Sequence, residues 1–108
     1  MKVVFLKSAR TDLLDLRRYV VAKFGNQTWL DTHDRIRHDV AQLEEFPHKG
    51  AVPPELAELV IPYYRQVVSG TNRILYEIDN EGGNIHLIVD TRRDLKDVLA
   101  KRLLRPQT

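Results

Sequence analysis

The chain has 108 residues and a mass of 12.6 kDa, which is enough for one domain, residues 1–108, built around one core. Hydrophobic residues make up 43% and charged residues 30%, as in ordinary globular proteins, and there is no cysteine. A disulfide scaffold, thiolate catalysis and cysteine-held metal sites are therefore excluded. The longest apolar runs hold only about four residues, too few for a membrane span or a secretory signal. We expect a cytoplasmic protein with no membrane partner.

The charge is distributed unevenly along the chain. Lys and Arg number 17 and Asp and Glu 15, so the net charge is only +2. Beyond residue 91, however, two acidic residues stand among six basic ones: Arg92, Arg93, Lys96, Lys101, Arg102 and Arg105. A basic end on a slightly acidic body indicates either an acidic partner or a solvated helix surface.

The first half of the chain is predicted to form a strand and two helices. Residues 2–6 are rich in β-forming residues, and Ser8 is placed to cap the helix that follows. The apolar stripe of that helix consists of Leu13, Leu16, Val20 and Phe24. Gly25 suits the position after the helix, and Asn26 is placed as the N-cap of a second helix that ends at Pro47. Two such helices form an antiparallel helical hairpin.

The second half is predicted to contain a proline-rich loop, three strands and a short helix. The loop, residues 47–62, holds four of the five prolines and one helical turn at 54–59. The strands lie at 63–68, 72–79 and 84–90, separated by turn residues, and form an antiparallel meander. The last helix has Asp94 in its first turn. The helical hairpin must bury its apolar stripe, and only the sheet offers enough surface, so the fold class is α+β.

Two arginines in the first predicted β-hairpin set the expectation for a functional surface. If the turn has three residues, 69–71, Val68 faces Asn72, and Arg65 and Arg73 project from one face, about 7–8 Å apart at their β-carbons. With a two-residue turn they would lie on opposite faces. The three-residue turn leaves one face open and arginine-bearing. The covered apolar face would carry Tyr64, Ile74, Tyr76 and Ile78.

The histidines give no sign of a metal site. By alternation, His86 shares a face with Ile88 and Asp90, and a lone strand histidine is more often packed or solvated than catalytic. His33 and His38 are five residues apart on a helix, so they do not stack as ligands four apart would. We predict no metal and no cofactor.

Four segments together resemble the toxins of the ParE/RelE superfamily. They are SARTDLLDLRRYV, LEEFPHKGAVPPEL, YYRQVVSGTNRILYEID and IHLIVDTRRDLKDVLAKRLL, in that order along nearly the whole chain. The resemblance implies a small α+β toxin, encoded beside an antitoxin that binds and silences it. RelE-like members are nucleases that cut messenger RNA on the ribosome, whereas ParE-like members poison DNA gyrase and lack the nuclease residues.

The resemblance also implies where the nuclease residues of the RelE-like branch would fall. Its lysines and arginines fall at Arg65, Val67, Arg73 and Arg93, and its helical tyrosine falls at Leu99. Cleavage by a ribose 2′-hydroxyl needs a group that accepts a proton, cations at the phosphate and a group that protonates the leaving oxygen. The arginines remain, but Val67 and Leu99 cannot transfer protons, and arginine is a poor acceptor because its pKa exceeds 12.

These losses and the basic last helix favour the ParE-like branch, a gyrase inhibitor rather than an enzyme. One alternative is a RelE-like, metal-independent endoribonuclease that uses Arg65, Arg73 and Arg93 on the ribosome. A second is an inactive relative that only binds the antitoxin. The predicted partner-binding residues are Arg65, Arg73, Arg92, Arg93 and Arg102.

The non-catalytic interpretation depends on one physical condition. The exposed sheet face must gather guanidinium groups and offer no suitable proton donor or acceptor. It would be undone if Arg65 and Arg73 lay on opposite faces, or if a tyrosine or histidine lay between them. A disordered antitoxin segment would bring apolar side chains to the helical hairpin and sheet edge, and acids to the arginines.

Overall fold

The computed structural model describes residues 1–57 and 64–103. Along this part of the chain the elements are β1 (Val3–Phe5), α1 (Lys7–Phe24), α2 (Asn26–Glu45), α3 (Pro54–Ala57), β2 (Tyr64–Ser69), β3 (Asn72–Ile78), β4 (Gly83–Asp90) and α4 (Leu95–Leu103). The predicted order and the α+β class are confirmed, with strand ends within one residue of their predicted places. The predictions for residues 58–63 and for Leu104 and beyond fall outside the described residues.

The two long helices form the predicted helical hairpin, joined by one glycine. Gly25 has φ 96°, a conformation that glycine adopts readily, and its N–H donates to the Val21 carbonyl. Gly25 is also the N-cap of α2, so Asn26 is the first helical residue and makes no capping hydrogen bond, contrary to the prediction. The Ser8 cap is also wrong. The first helix begins at Lys7, and the Ser8 hydroxyl instead donates to the carbonyl of His86 at 3.0 Å.

The strands form one sheet in the order β1-β4-β3-β2. The predicted antiparallel meander of β2, β3 and β4 is confirmed, and β1 joins it parallel to β4. The turn between β2 and β3 has two residues, because Ser69 pairs with Asn72 and Val68 with Arg73. The three-residue turn is therefore wrong. Gly70, at φ 61°, occupies the first turn position, where a two-residue turn of type II′ favours glycine.

A β-bulge in β4 changes which residues share a face. Leu75 pairs with Leu87, but the next residue, Tyr76, pairs with Ile85, so His86 is the extra residue in β4. His86 contacts Glu77 on the face that also carries Leu75 and Leu87. The prediction that His86 shares a face with Ile88 and Asp90 is therefore wrong, because alternation assumes a strand without a bulge.

Both faces of the sheet are covered, by different elements. The helical face packs against α1 and α2 and holds the first core: Ala9, Ile36, Val40, Leu43, Ile74, Tyr76, Ile85 and Ile88. The opposite face, here called the α4 face, packs against α3 and α4 and holds the second: Leu56, Leu75, Leu87, Val89, Leu95 and Val98. The predicted open face is therefore wrong, and Tyr64 packs on the α4 face instead of the helical face. No helix in the described ranges is long and apolar enough to cross a membrane.

Candidate functional site

Arg65 lies on the helical face and holds the loop after α2. It pairs with Tyr76 across β2 and β3, and its Nη1 donates to the Gly50 carbonyl at 2.7 Å. The Tyr76 hydroxyl accepts from the Gly50 N–H at 3.0 Å and donates to the Pro47 carbonyl at 2.8 Å. Burial raises the pKa of Tyr76, although the Gly50 hydrogen bond and the Arg65 charge oppose the shift. Arg65 and Tyr76 together fix this loop to the sheet.

Arg73 lies on the α4 face and is bound to Glu55. Its Nη1 donates to Glu55 Oε2 at 2.6 Å and to Gln66 Oε1 at 3.4 Å. The ion pair ties β3 to α3 and leaves 18% of the Arg73 side chain exposed. Because the turn has two residues, Arg65 and Arg73 project from opposite faces, and the predicted arginine pair on one open face is wrong.

His86 forms a polar cluster with Glu77 and Tyr64 on the α4 face. His86 Nε2 lies 3.0 Å from Glu77 Oε1, and the Tyr64 ring packs edge-on to the imidazole with 5.1 Å between ring centroids. This face also carries Arg73. A histidine and a tyrosine therefore share the face of one predicted phosphate-binding arginine. Sequence reasoning missed the cluster, and nothing in the alternation of side chains marks the bulge that creates it.

Arg102 joins α4 to α1 through Asp12. Its Nη2 donates to Asp12 Oδ1 at 2.8 Å and to Oδ2 at 2.9 Å, and the two side chains are only 17% and 15% exposed. Asp12 Oδ2 also accepts the Ile88 N–H at 3.0 Å. Burial raises the pKa of Asp12, and the hydrogen bonds from Arg102 and Ile88 act in the opposite direction. Arg102, predicted to bind a partner, is thus engaged within its own chain.

Arg92 and Arg93 lie between β4 and α4, where both side chains are exposed. Arg92 forms two hydrogen bonds with Asp90, Nε to Oδ1 at 2.9 Å and Nη2 to Oδ2 at 3.0 Å, and is itself 80% exposed. The Arg92 side chain therefore lowers the pKa of Asp90. The Arg93 N–H donates to the Asp90 carbonyl, while its guanidinium makes no hydrogen bond or ion pair within the described part of the chain.

These two arginines line a groove between α1 and the end of β4. We call it the β4 groove; it has a volume of about 820 Å³. Its apolar lining includes Leu16, Val20 and Ile88. Two aromatic residues, Tyr19 and Phe24, also line it, and its charged lining is balanced: the basic residues are Lys23, Arg92 and Arg93, and the acidic ones are Asp12, Asp15 and Asp90. Of the five predicted partner-binding arginines, the groove therefore brings together Arg92 and Arg93 but not the other three.

The described residues show no metal-binding arrangement of acidic and histidine side chains. Across residues 1–57 and 64–103, no three or more His, Asp or Glu lie together where they could hold an ion. The His86 and Glu77 pair stands without a third such group in that range. The α4 face presents His86, Glu77 and Arg73, side chains of the kinds that transfer protons and bind anions.

One family model matches most of the chain, and two solved structures share its fold. Residues 3–98 match a family model described as the ParE toxin of a type II toxin-antitoxin system, parDE. No curated protein matches the chain. Among solved structures, a chain of the chromosomal ParDE toxin–antitoxin system of P. aeruginosa is 18% identical with a TM-score of 0.69, covering 83% of this chain and 95% of that one. A chain of the toxin–antitoxin complex RelBE2 from Mycobacterium tuberculosis is 22% identical with a TM-score of 0.55, covering 82% and 95%.

Proposed function

The chain belongs to the ParE toxin family of type II toxin–antitoxin systems, and from this premise we propose that it inhibits DNA gyrase and is silenced by a cognate antitoxin in the cytoplasm. The observation that carries the choice of target is that Val67 and Leu99, where RelE-like proteins carry reactive groups, pack as apolar side chains against the two cores. The separation of Arg65 from Arg73 is a further argument against a nuclease that needs both arginines. The two guanidinium groups lie on opposite faces, and each is already bound within the chain. A nuclease that uses both on one phosphate is therefore not assembled.

The positions where RelE-like proteins carry reactive groups support the same proposal. Val67 packs against the first core, on the helical face. Leu99 is a residue of α4 and packs against the second core. Both side chains are apolar and help to bury the two faces of the sheet, so neither accepts nor donates a proton. A toxin without these groups acts by contact with its target, which is what gyrase inhibition requires.

The proposed antitoxin is supported by the solved relatives and by the charge of this chain. One relative comes from a ParDE toxin–antitoxin system and the other from a RelBE2 toxin–antitoxin complex. The exposed Arg92 and Arg93 present positive charge beside an apolar groove. A segment that carries apolar and acidic residues is complementary to that surface.

The ribosome-dependent ribonuclease remains the second candidate because of His86. The non-catalytic interpretation required an open sheet face that carries both arginines and no suitable proton donor or acceptor. Arg65 and Arg73 instead lie on opposite faces. His86 and Tyr64 lie on the same face as Arg73. Imidazole beside a carboxylate is suited to general acid–base work, and Arg73 could meet a phosphate once Glu55 released it. The gyrase proposal therefore depends on the missing reactive groups at Val67 and Leu99.

The decisive experiment has two arms. The purified chain is added to a gyrase supercoiling reaction and to ribosomes programmed with messenger RNA. We expect supercoiling to be inhibited and the message to stay intact. Cleavage without a gyrase effect would establish the ribonuclease, and loss of that cleavage in His86→Gln would identify its proton-transfer residue. Activity in neither arm, with the antitoxin still bound, would indicate an inactive antitoxin-binding relative.

A further inference from the structure

The helical hairpin exposes apolar side chains on the side that faces away from the sheet. Leu14 and Val21 on α1 are 53% and 37% exposed, and Leu30 on α2 is 47% exposed. The first core is held by the other sides of the two helices, which carry Ala9 and Ile36. The outward side therefore carries apolar area that the core of this chain does not use.

These residues belong to one exposed stripe along each helix. Spacings of three and four place residues on one side of a helix. We call the two stripes together the outer hairpin surface; its exposed residues are Arg10, Leu14, Arg17 and Val21 on α1 and Leu30, Asp34, Arg37 and Ala41 on α2. None of them is among the residues that line the β4 groove, so this is a separate surface.

The two helices carry opposite net charges of equal size. The first, α1, has five basic and two acidic residues and a net charge of +3. The second, α2, has two basic and five acidic residues and a net charge of −3. On the outer hairpin surface the side chains of Arg17 and Asp34 make no hydrogen bond or ion pair with any residue in the described ranges. This surface therefore offers both a cation and an anion to a partner.

The antiparallel hairpin makes this surface complementary to itself. Because both helices meet at Gly25, residues about equally far from it lie at one level, Arg17 with Asp34 and Val21 with Leu30. A two-fold axis parallel to the helices places α1 of one copy over α2 of another at the same level. Arg17 then meets Asp34 of the second copy, and Val21 meets Leu30 of the second copy. Each contact occurs twice.

We propose that two copies of this chain pair through their outer hairpin surfaces as a four-helix bundle, with α1 of each copy over α2 of the other. The arrangement sets the positive helix against the negative helix twice. An acidic antitoxin segment fits less well, because it would suit α1 but be repelled by α2. The dimer leaves both β4 grooves free and does not depend on which target the toxin inhibits.

The size of the outer hairpin surface indicates a weak, reversible dimer. The helices have 18 and 20 residues, which makes them about 27–30 Å long. Two helices side by side are about 20 Å wide, so the contact covers about 500 Å² on each copy. A total of about 1,000 Å² is at the low end for a specific interface. We therefore expect a dissociation constant on the order of 10 µM.

Sedimentation velocity on the full chain tests the dimer and its charge pair. We expect monomer at about 1 µM and mostly dimer at about 200 µM. Arg17→Asp and Asp34→Arg should each weaken dimerisation about tenfold or more, because each sets like charges against each other twice. The double variant that carries both changes restores opposite charges, and should dimerise within about threefold of the unaltered chain.

The matched control for net charge is Lys96→Asp, which makes the same charge change as Arg17→Asp at an exposed site of α4. An equal loss in this control, or a double variant as weak as the single ones, would overturn the proposal. So would a chain that stays monomeric at every concentration. If Arg17→Asp then weakened binding of the protein encoded beside the toxin gene, in isothermal calorimetry, the surface would belong to the antitoxin instead.

Cross-linking tests the two-fold arrangement, because the chain has no cysteine of its own. Val21→Cys and Leu30→Cys are made as separate chains, mixed and mildly oxidised. A disulfide needs α-carbons within about 7 Å, which the proposed dimer allows between residues 21 and 30 of different copies but not between two copies of either residue. We expect the mixed disulfide to form at least about tenfold faster than the disulfide of either variant alone. Equal rates in the three samples would overturn the arrangement.

Discussion

At the scale of single residues, most of the predicted partner-binding arginines form hydrogen bonds within the chain. Arg65 holds a loop, Arg73 holds α3, and Arg102 holds α4. A guanidinium that donates to a carbonyl or carboxylate of its own chain has fewer donors left for a partner. Only Arg92 and Arg93 keep exposed side chains, which moves the expected contact from the sheet face to the β4 groove.

The Arg102 and Asp12 pair gives a prediction at this scale. Arg102→Ala leaves the Asp12 carboxylate, which is 15% exposed, without its cation, and we expect a loss of about 3 kcal/mol in the free energy of unfolding in urea. The control Arg92→Ala breaks an exposed pair and should cost less than about 1 kcal/mol. Burial raises the pKa of Asp12, so protonation relieves its unpaired charge. The deficit of Arg102→Ala should therefore shrink as pH falls from 7 towards 5, and a deficit that stayed constant would contradict this account.

At the scale of elements, one glycine ends α1 and begins α2. Gly25→Ala should lower the free energy of unfolding by about 1 kcal/mol, because φ 96° is strained for a residue with a Cβ. The space is open, with no atom within 4 Å of an added Cβ, so the cost is one of backbone conformation. The control is Asn26→Ala, which should be nearly neutral because Asn26 makes no capping hydrogen bond. Urea unfolding in which Asn26→Ala cost as much would restore Asn26 as the cap.

The helices and strands could be predicted from the sequence, but the face of the sheet on which each strand residue lies could not. Periodic apolar residues such as Leu13, Leu16 and Val20 identify a helix whatever surrounds it, and β-rich runs between turn residues identify the strands. The face of a strand residue depends on counting single residues. One residue fewer in the turn after Ser69 separates Arg65 from Arg73, and one extra residue in β4 moves His86 to the other face. The length of the turn and the position of the bulge are both set by pairing between strands, which a local sequence pattern does not indicate.

At the scale of the whole molecule, both faces of the sheet are covered, so the sheet itself is accessible only at its margins. The helices α1 and α2 cover one face, and α3 and α4 cover the other, each over its own apolar core. The sheet therefore acts as a scaffold, and the β4 groove lies where the first helix leaves the edge of β4 open. Arg92 and Arg93, the two of the five predicted partner-binding arginines whose side chains are exposed, follow β4 closely in the chain.

The stability of the molecule in acid follows from carboxylates at the two ends of β4. Hydrogen bonds lower the pKa of Asp79, mainly from the Glu81 N–H and Asn84, and Arg92 lowers that of Asp90. A carboxyl with a lowered folded pKa contributes stability above its unfolded pKa, near 4, and loses that contribution as pH falls through the folded pKa. The contribution of Asp12 to the pH dependence of stability has the opposite sign, because its raised pKa makes protonation favour the folded state.

We therefore expect the Asp79→Asn, Asp90→Asn double variant to lose less free energy of unfolding than the unaltered chain between pH 4.5 and 2.5, in urea titrations at fixed salt. Asp34→Asn, an exposed change on α2 that also removes a negative charge, serves as the control for net charge and should follow the unaltered chain. Asp79 is exposed and the Asp90 side chain is 27% exposed, so solvent screening keeps the difference small. Salt should reduce the Asp90 part first, because an ion pair causes it. Identical pH profiles for the double variant and the unaltered chain would show that hydrogen bonding at the ends of β4 does not set the acid stability of the fold.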